Sequence, residues 1–546
     1  MTKPRFPNPV ITKPMRPWLI ALLLLFALLT VNAVYLGAIT LREWLSGESL
    51  QDSFYLSMFL LHLGLGLLLI VPFAGFGISH LRRALKRANR DAIRAGLGVF
   101  VSGWVVILSG LVLTRFGFLE INDPGVRTLT YWLHVLAPGV VVWLFVLHRL
   151  AGPPLQWRKG LRWGAIAIVV TLIAGGIQHW QHLQADTRVT RFEPGLAKIV
   201  GSERIPAAHL MGDADCAQCH ADIAAHSRLS MHRFSSFNNP AYRFSIEDTR
   251  KHMLNRDGNV QTTRLCAVCH DLVPLFSGAF DDPDFDPDAA PNVASAQAGI
   301  TCLGCHAIQG VDSPLGNGDY RIIDPPRYPF AHSENPLLKA INHQLIKAKP
   351  GFHKATLLKP VHKTAEFCGA CHKVHLPQTF NHYKWLRGQN HYDSFLFSGV
   401  SGHRIDSFYY PPKAIPSCAA CHMPARPSDD PAARDFTASG VASVHSHSFA
   451  AANTGVAALR GDAESGLAER RAFLDDAVRV DLFALQGEEE AETGEIAPLR
   501  PTLPNLEAGK RYRLDAVVRT LKLGHHLTQG TADSNELWLE ISVRAG

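Results

Sequence analysis

The chain has 546 residues, 47% of them hydrophobic and 18% charged, with a mean hydropathy of +0.03 and a formal net charge of +7. The near-zero hydropathy averages an apolar N-terminal third with a polar remainder, which excludes a single uniformly soluble domain and makes several domains the expectation. The positive charge is partly a matter of clusters between apolar stretches and does not point to nucleic acid.

Five apolar stretches, at roughly 17–40, 54–79, 96–118, 128–149 and 162–180, each approach the ~20 residues that a membrane-spanning helix needs. Lys3, Arg5, Lys13 and Arg16 precede the first; Arg82, Arg83, Lys86, Arg87, Arg90 and Arg94 follow the second; Arg149, Arg158, Lys159 and Arg162 follow the fourth. The other loops hold only Arg42 and Arg127 as clear positive charges. By the positive-inside rule the N-terminus is expected in the cytoplasm and everything beyond about residue 181 outside. The polar lead is long for a signal peptide and no small-residue cleavage site is evident, so the first span reads as a retained anchor in the inner membrane.

Ionisable side chains inside a bilayer are costly and point to function. His62 and His80 on the second span are five helical turns apart, and His134 and His148 on the fourth are close to four turns apart, so each pair shares one face. Both spans run in the same direction, so His62 should meet His134 and His80 should meet His148. Each pair could clamp one non-covalent haem b, although hydrogen bonding across helices would also explain the histidines. Gly64, Gly66, Gly75 and Gly77 would admit a porphyrin or a neighbouring helix, and Arg115 could meet haem propionates or snorkel to the interface.

The phrases FLLHLGLG, SGLVL and YWLHVLAPGVVVWLFVLHRLAGP, over roughly residues 54–152, resemble di-haem cytochrome b bundles, the four-helix anchors of formate dehydrogenases, hydrogenases and related respiratory complexes. The resemblance implies electron exchange between quinone or quinol and a partner across the membrane. Glu120 and Asp123 could accept quinol protons, but carboxylates at such a boundary usually face water.

Cys-x-x-Cys-His then occurs five times, as Cys216/Cys219/His220, Cys266/Cys269/His270, Cys302/Cys305/His306, Cys368/Cys371/His372 and Cys418/Cys421/His422, using all ten cysteines. Each copy offers two thiols for thioether bonds to haem vinyl groups and an adjacent imidazole for the iron, so five haem c groups are expected. Zinc would want cysteine pairs combining in twos, and redox dithiols or disulfides need no histidine after each pair. Thioether attachment belongs to the oxidising side of a membrane, which agrees with the charge-derived topology. The copies are irregularly spaced, so no solenoid is implied.

Sixteen histidines outside the motifs lie between His179 and His447 inclusive, so bis-histidine coordination throughout is feasible. The stretch has little apolar periodicity, as expected where haems fill the core. SMHRFSSFNNPAY, HKTAEFCGACHKVHLP and HSHSFAAANT resemble multihaem c-type cytochromes of the cytochrome c554-like group, and the resemblance implies His232, His362 and His447 as distal ligands. For the other two positions His226, His343, His353, His403 and His445 compete. RGQNHYDSFLFSGVSGHRIDSFYYPP looks family-like, with no role assigned.

Beyond residue 470, AVRVDLFALQ, RYRLDAVVRT and NELWLEISVR alternate with period two and read as antiparallel strands. GHHLTQGTADSNELWLEISV resembles a phrase of β-domains attached to multihaem cytochromes; His525 and His526 could ligate a haem, but they read more readily as loop residues. With three strong strands, the sheet is expected to be incomplete or finished by a partner.

The expected architecture is a multi-domain chain: an α-helical transmembrane bundle of five helices over 1–181, a mostly irregular and α, haem-packed periplasmic domain over 182–455, and an antiparallel β-sandwich-like domain over 470–546. The expected function is electron transfer between the quinone pool and a periplasmic redox protein through two haem b and five haem c groups. Two alternatives are an oxidoreductase with a five-coordinate catalytic c haem acting on a small nitrogen or sulfur compound, and a redox scaffold or sensor.

Overall fold

The computed structural model describes residues 10–46, 50–117, 120–121, 123–152, 157–185, 188–405, 407, 412–462, 464–487, 494–501, 504–527, 537–542 and 544. The chain divides into two compact units, Met1–Asp186 with Pro325–Leu357, and Thr187–Asp324 with Leu358–Gly546.

The first unit is built on five helices: α1 (Arg16–Ser46), α2 (Ser53–Ala84), α3 (Arg90–Leu113), α4 (Pro124–Leu150) and α5 (Trp157–Ala185). All five are long and apolar enough to cross a membrane. Three begin at side-chain caps that satisfy otherwise orphaned amides: Asp52 accepts from Tyr55 N at 2.8 Å, Asn89 from Ala92 N at 3.0 Å and Asp123 from Val126 N at 2.8 Å. Pro124 follows Asp123 at the first helical position, where its missing N–H costs nothing. α3 packs chiefly against α4, and α1 against α2 and α5. Large apolar side chains such as Leu67, Leu68, Val142, Trp143, Ile168 and Leu172 face outward, as a bundle solvated by lipid allows.

Pro325–Leu357 lies inside the stretch expected to form the haem c domain, yet it packs with the helices. Its helices Pro336–Ala348 and Pro350–Leu357 bury Leu345 and Phe352, together with Tyr328, against Tyr35, Ile39, Tyr55 and Leu56 of α1 and α2. Polar contacts surround that cluster. Lys349 Nζ donates to Tyr55 Oη at 2.9 Å, Tyr328 Oη donates to Lys349 O at 2.8 Å, Lys347 pairs with Glu120 at 2.7 Å, and Gln344 donates to Thr114 O. Nearby, Tyr35 Oη donates to Gln178 Oε1 at 2.6 Å, tying α1 to α5. Two aromatic side chains and one leucine are too sparse a signal to mark a docking face.

The second unit mixes short helices with small sheets. β1 (Val189–Arg191), β2 (Lys198–Val200), β3 (Ile308–Val311) and β4 (Tyr320–Ile322) form one sheet in the order β1-β2-β4-β3, in which β2 and β4 run parallel and the other pairs antiparallel. β5 (Lys373–Leu376) pairs with β6 (Leu386–Asn390), and β7 (Ala425–Pro427) with β8 (Ser443–His445). Ile199, Ile205, Leu210, Leu275, Phe276, Phe280, Tyr320 and Ile322 are fully buried. This part therefore has a side-chain core of its own.

β9 (Val478–Gly487) and β10 (Tyr512–Thr520) make an antiparallel ribbon with a register shift at Asp515/Ala516. Of the third expected strand, over NELWLEISVR, residues 537–542 carry no strand pairing among the described residues, while Asn535, Glu536 and Val543 lie outside them. Alternation alone does not select a pairing partner, and the ribbon leaves Val480, Leu482, Phe483 and Val518 exposed.

Phe352→Ala should cost about 3–5 kcal/mol of packing and release the segment from the helices. Limited proteolysis should then cut within 325–357 while the five spans stay protected; an unchanged digestion pattern would sink this account of the docking.

Candidate functional site

α2 and α4 bring their four histidines together as two pairs. The rings of His62 and His134 have centroids 6.1 Å apart at an interplanar angle of 84°, and those of His80 and His148 are 6.1 Å apart at 82°. Two imidazoles on opposite sides of one metal, each bonded at about 2 Å, have centroids about 6 Å apart.

Hydrogen bonds fix which nitrogen is free. His134 Nδ1 lies 3.0 Å from Val106 O and His148 Nδ1 2.8 Å from Ala92 O. A carbonyl can only accept, so each Nδ1 carries the proton and each Nε2 keeps a lone pair. His62 Nδ1 lies 3.0 Å from Asn32 Oδ1, whose own amide donates to Met58 O at 2.9 Å, so His62 is held in the same tautomer. His80 Nδ1 is buried without a hydrogen bond, and Phe76 stacks on its ring at 5.2 Å.

α3 supports both rings of α4 in the same way. A Cβ on Gly110 would lie 2.9 Å from His134 Cε1, and one on Gly96 would lie 3.0 Å from His148 Cε1. Each glycine stands four residues after the carbonyl that holds its ring, Val106 or Ala92. The two glycines are separated by the same fourteen residues as the two histidines. Sequence reading missed them, although that shared interval was a usable signal. It singled out four others: Gly64 and Gly66 have open space where a Cβ would lie, whereas Gly75 meets Trp18 and Gly77 packs against Phe100.

In the second unit each Cys-x-x-Cys-His copy occupies about one helical turn. In the first copy Cys219 N and His220 N both donate to Cys216 O, at 3.2 and 2.9 Å. In the fourth and fifth, His372 N donates to Cys368 O at 2.9 Å and His422 N to Cys418 O at 3.0 Å. Winding of that kind puts the first cysteine, the second and the histidine on one face. All ten cysteines, Cys216, Cys219, Cys266, Cys269, Cys302, Cys305, Cys368, Cys371, Cys418 and Cys421, are free thiols, with no disulfide joining any two. The copies are neighbours: Cys302 hydrogen-bonds with Cys216, Cys371 with Cys269 and Cys368 with Cys418. Cys305 lies close enough to Cys371 to interact electrostatically, so the five copies form one connected series. Cys219 enters that series through its own copy, half-buried one turn from Cys216.

Three of the motif histidines are also anchored through Nδ1. His220 meets Asp430 at 2.9 Å, His270 meets Ser235 O at 2.7 Å and His422 meets Ala450 O at 2.9 Å. Of the expected distal histidines, His232 faces His372 with centroids 6.0 Å apart, and His447 faces His306 at 6.4 Å. Burial holds His232 and His447 down at about 4 and His372 at about 3, helped by neighbouring imidazoles, so all three are neutral.

His362 lies 5.2 Å from His306 but is otherwise engaged. Lys359 N donates to its Nδ1 at 3.1 Å, and its Nε2 lies 3.1 Å from Ile308 O, so this conformation leaves no lone pair for a metal. Among the competing residues, His343 and His353 lie in the segment packed on α1 and α2, and His445 Nδ1 lies 2.8 Å from Met423 O. His226 Nδ1 is buried without a hydrogen bond.

Two further histidines lie near the motifs. His391 is 5.5 Å from His372, and His525 is 6.2 Å from His422. The phrase around His391 had no role assigned from sequence, and for His525 ligation was the less favoured of two readings.

Beside His270 lies a buried polar network. Tyr242 stacks on the His270 ring at 4.3 Å and donates to Asp271, which also accepts from Ser236 Oγ at 2.8 Å. Arg250, close by in charge, donates to Phe280 O and Asp282 O, each at 2.7 Å. Burial pushes the Asp271 carboxyl up to about 7, against the pull of its two hydroxyl donors.

Among the described residues no group of three or more His, Cys, Asp or Glu is arranged to hold a bare metal ion. A haem asks less of the protein, since the macrocycle supplies four of the iron's ligands and two side chains complete it. The neutral imidazoles, the ring separations and the open space at Gly64 and Gly66 fit such a group. No family model, curated protein or solved structure matches the chain.

Asp271→Ala would leave the Tyr242 hydroxyl buried and unpaired at a cost of about 1–3 kcal/mol. A lower thermal unfolding midpoint is expected for Asp271→Ala and a smaller drop for Tyr242→Phe; equal midpoints in all three proteins would show that the network contributes nothing to stability.

Proposed function

We propose that this chain is a membrane-anchored multihaem cytochrome that carries electrons between the quinone pool and a periplasmic redox partner. The observation that carries the reading is the connected series of five Cys-x-x-Cys-His copies within one compact unit, since cofactors attached there would be neighbours. When bound, haem supplies reversible one-electron chemistry; the protein sets its position, axial ligands and surroundings.

In this reading each cysteine pair fixes a c haem and His220, His270, His306, His372 and His422 take the proximal positions. His232 and His447 oppose His372 and His306. His62 with His134, and His80 with His148, hold two b haems on the path through the membrane. The carbonyls of Val106 and Ala92 keep the α4 imidazoles in the tautomer that presents Nε2, and Gly110 and Gly96 let those rings lie against α3. Positive-inside charge puts His62 and His134 near the periplasmic side and His80 and His148 near the cytoplasm. Direction of flow is left to the potentials of the donor and acceptor.

The test is a pyridine haemochrome count with reduced-minus-oxidised spectra on membranes, with and without a quinol donor. Five c-type and two b-type haems per chain are expected, with quinol reducing the c haems. His134→Ala should remove one b haem, leave the c count unchanged and slow quinol reduction of the c haems at least tenfold. Absence of b haem from the parent protein, or undiminished quinol reduction in the variant, would refute the transmembrane path.

A further inference from the structure

The turn that follows β10 brings His525 against the fifth motif. The centroids of His422 and His525 are 6.2 Å apart and the rings are 9° from parallel. That separation is close to the 6.1 Å of both intramembrane pairs and the 6.0 Å of His232 and His372. The hydrogen bonding is right for two ligands of one metal. His422 Nδ1 is held by Ala450 O at 2.9 Å and His525 Nδ1 by His526 O at 3.0 Å, so both rings carry their proton on Nδ1. Nε2 of each ring makes no hydrogen bond among the described residues.

The turn is also built to hold this position. Leu521 N donates to Ala477 O at 2.9 Å, His526 N donates to Ser394 Oγ at 2.8 Å, and a Cβ on Gly524 would touch Phe395 at 3.4 Å. His525 is therefore fixed from both sides, to the start of the β9–β10 ribbon and to the helix His391–Leu396. The competing ring is His391, 5.4 Å from His525. It stands 81° from that ring and is also 5.5 Å from His372 at 89°, a position between two motif histidines rather than opposite one.

We propose that His525 is the sixth ligand of the haem carried by Cys418, Cys421 and His422, delivered by the segment beyond the β9–β10 ribbon. This rests on the multihaem reading above and assigns the ribbon a role in completing the cofactor array.

The experiment uses the full-length protein in detergent, comparing His525→Gly, His526→Gly and His391→Gly with the parent by haemochrome count, resting optical spectrum and electron paramagnetic resonance. The covalent haem count should stay at five in every variant. In His525→Gly one c haem in five should pass from low spin to high spin, and added imidazole should restore the low-spin signal. His526→Gly and His391→Gly should keep the parent's spectrum.

An unaltered spin state in His525→Gly overturns the proposal, as does the same change appearing in His391→Gly instead. Loss of covalent haem from His525→Gly without rescue by imidazole also overturns it, because the residue would then serve packing alone. A parent protein without five covalent haems fails the underlying reading and is recognised before any variant is measured.

Discussion

Imidazole has two nitrogens, and most of what is described above depends on one of them being occupied by the backbone. Val106 O, Ala92 O, Ser235 O, Ala450 O and His526 O each accept a hydrogen bond from a histidine Nδ1–H, leaving the far nitrogen as an electron-pair donor. The device needs no charged partner. Between the long apolar helices it has a steric condition. A ring can reach the carbonyl of a neighbouring helix only where that helix has no side chain one turn further on, and Gly96 and Gly110 meet the condition on α3. α3 is thus a support for two rings borne by α4, and its glycines and carbonyls repeat at the interval of the histidines they serve.

The same economy governs the Cys-x-x-Cys-His copies. One turn of helix is enough to gather two thiols and an imidazole on one face, so each copy needs little scaffold, and five can be brought together by short helices and small sheets. Phe276 and Phe280 lie just after the second copy in sequence, where LCAVCHDLVPLFSGAF has no exposed residue, and Tyr320 joins them from β4 by donating to Val268 O. That copy also has the Tyr242–Asp271 contact beside it.

The legible parts of the sequence were those with a strong local rule. Five long apolar runs appear as α1 to α5, with ends shifted by a few residues because caps such as Asp52 and Asn89 lie outside the apolar stretch. The facing of His62 with His134 and of His80 with His148 followed from helical pitch alone. Parts that depend on distant contacts were not legible. Tyr328, Leu345 and Phe352 carry no period that announces a helix-end cluster, and NELWLEISVR alternates like a strand although its residues 537–542 pair with none among the described residues. His362 shows a further limit, since a motif can nominate a histidine while the backbone of Lys359 claims its lone pair.

The packing of Pro325–Leu357 against α1 and α2 has a consequence for the order of assembly. The cluster around Tyr55 and Phe352 is complete only after residue 357 has been made, well over a hundred residues after α5 ends at Ala185. At about 5–20 residues per second that interval is roughly 10–30 s. During it the end of the helical unit bearing Tyr35 and Tyr55 lacks the residues that later cover it, while the chain carrying the first three Cys-x-x-Cys-His copies is synthesised. Closure of that end is therefore timed by translation.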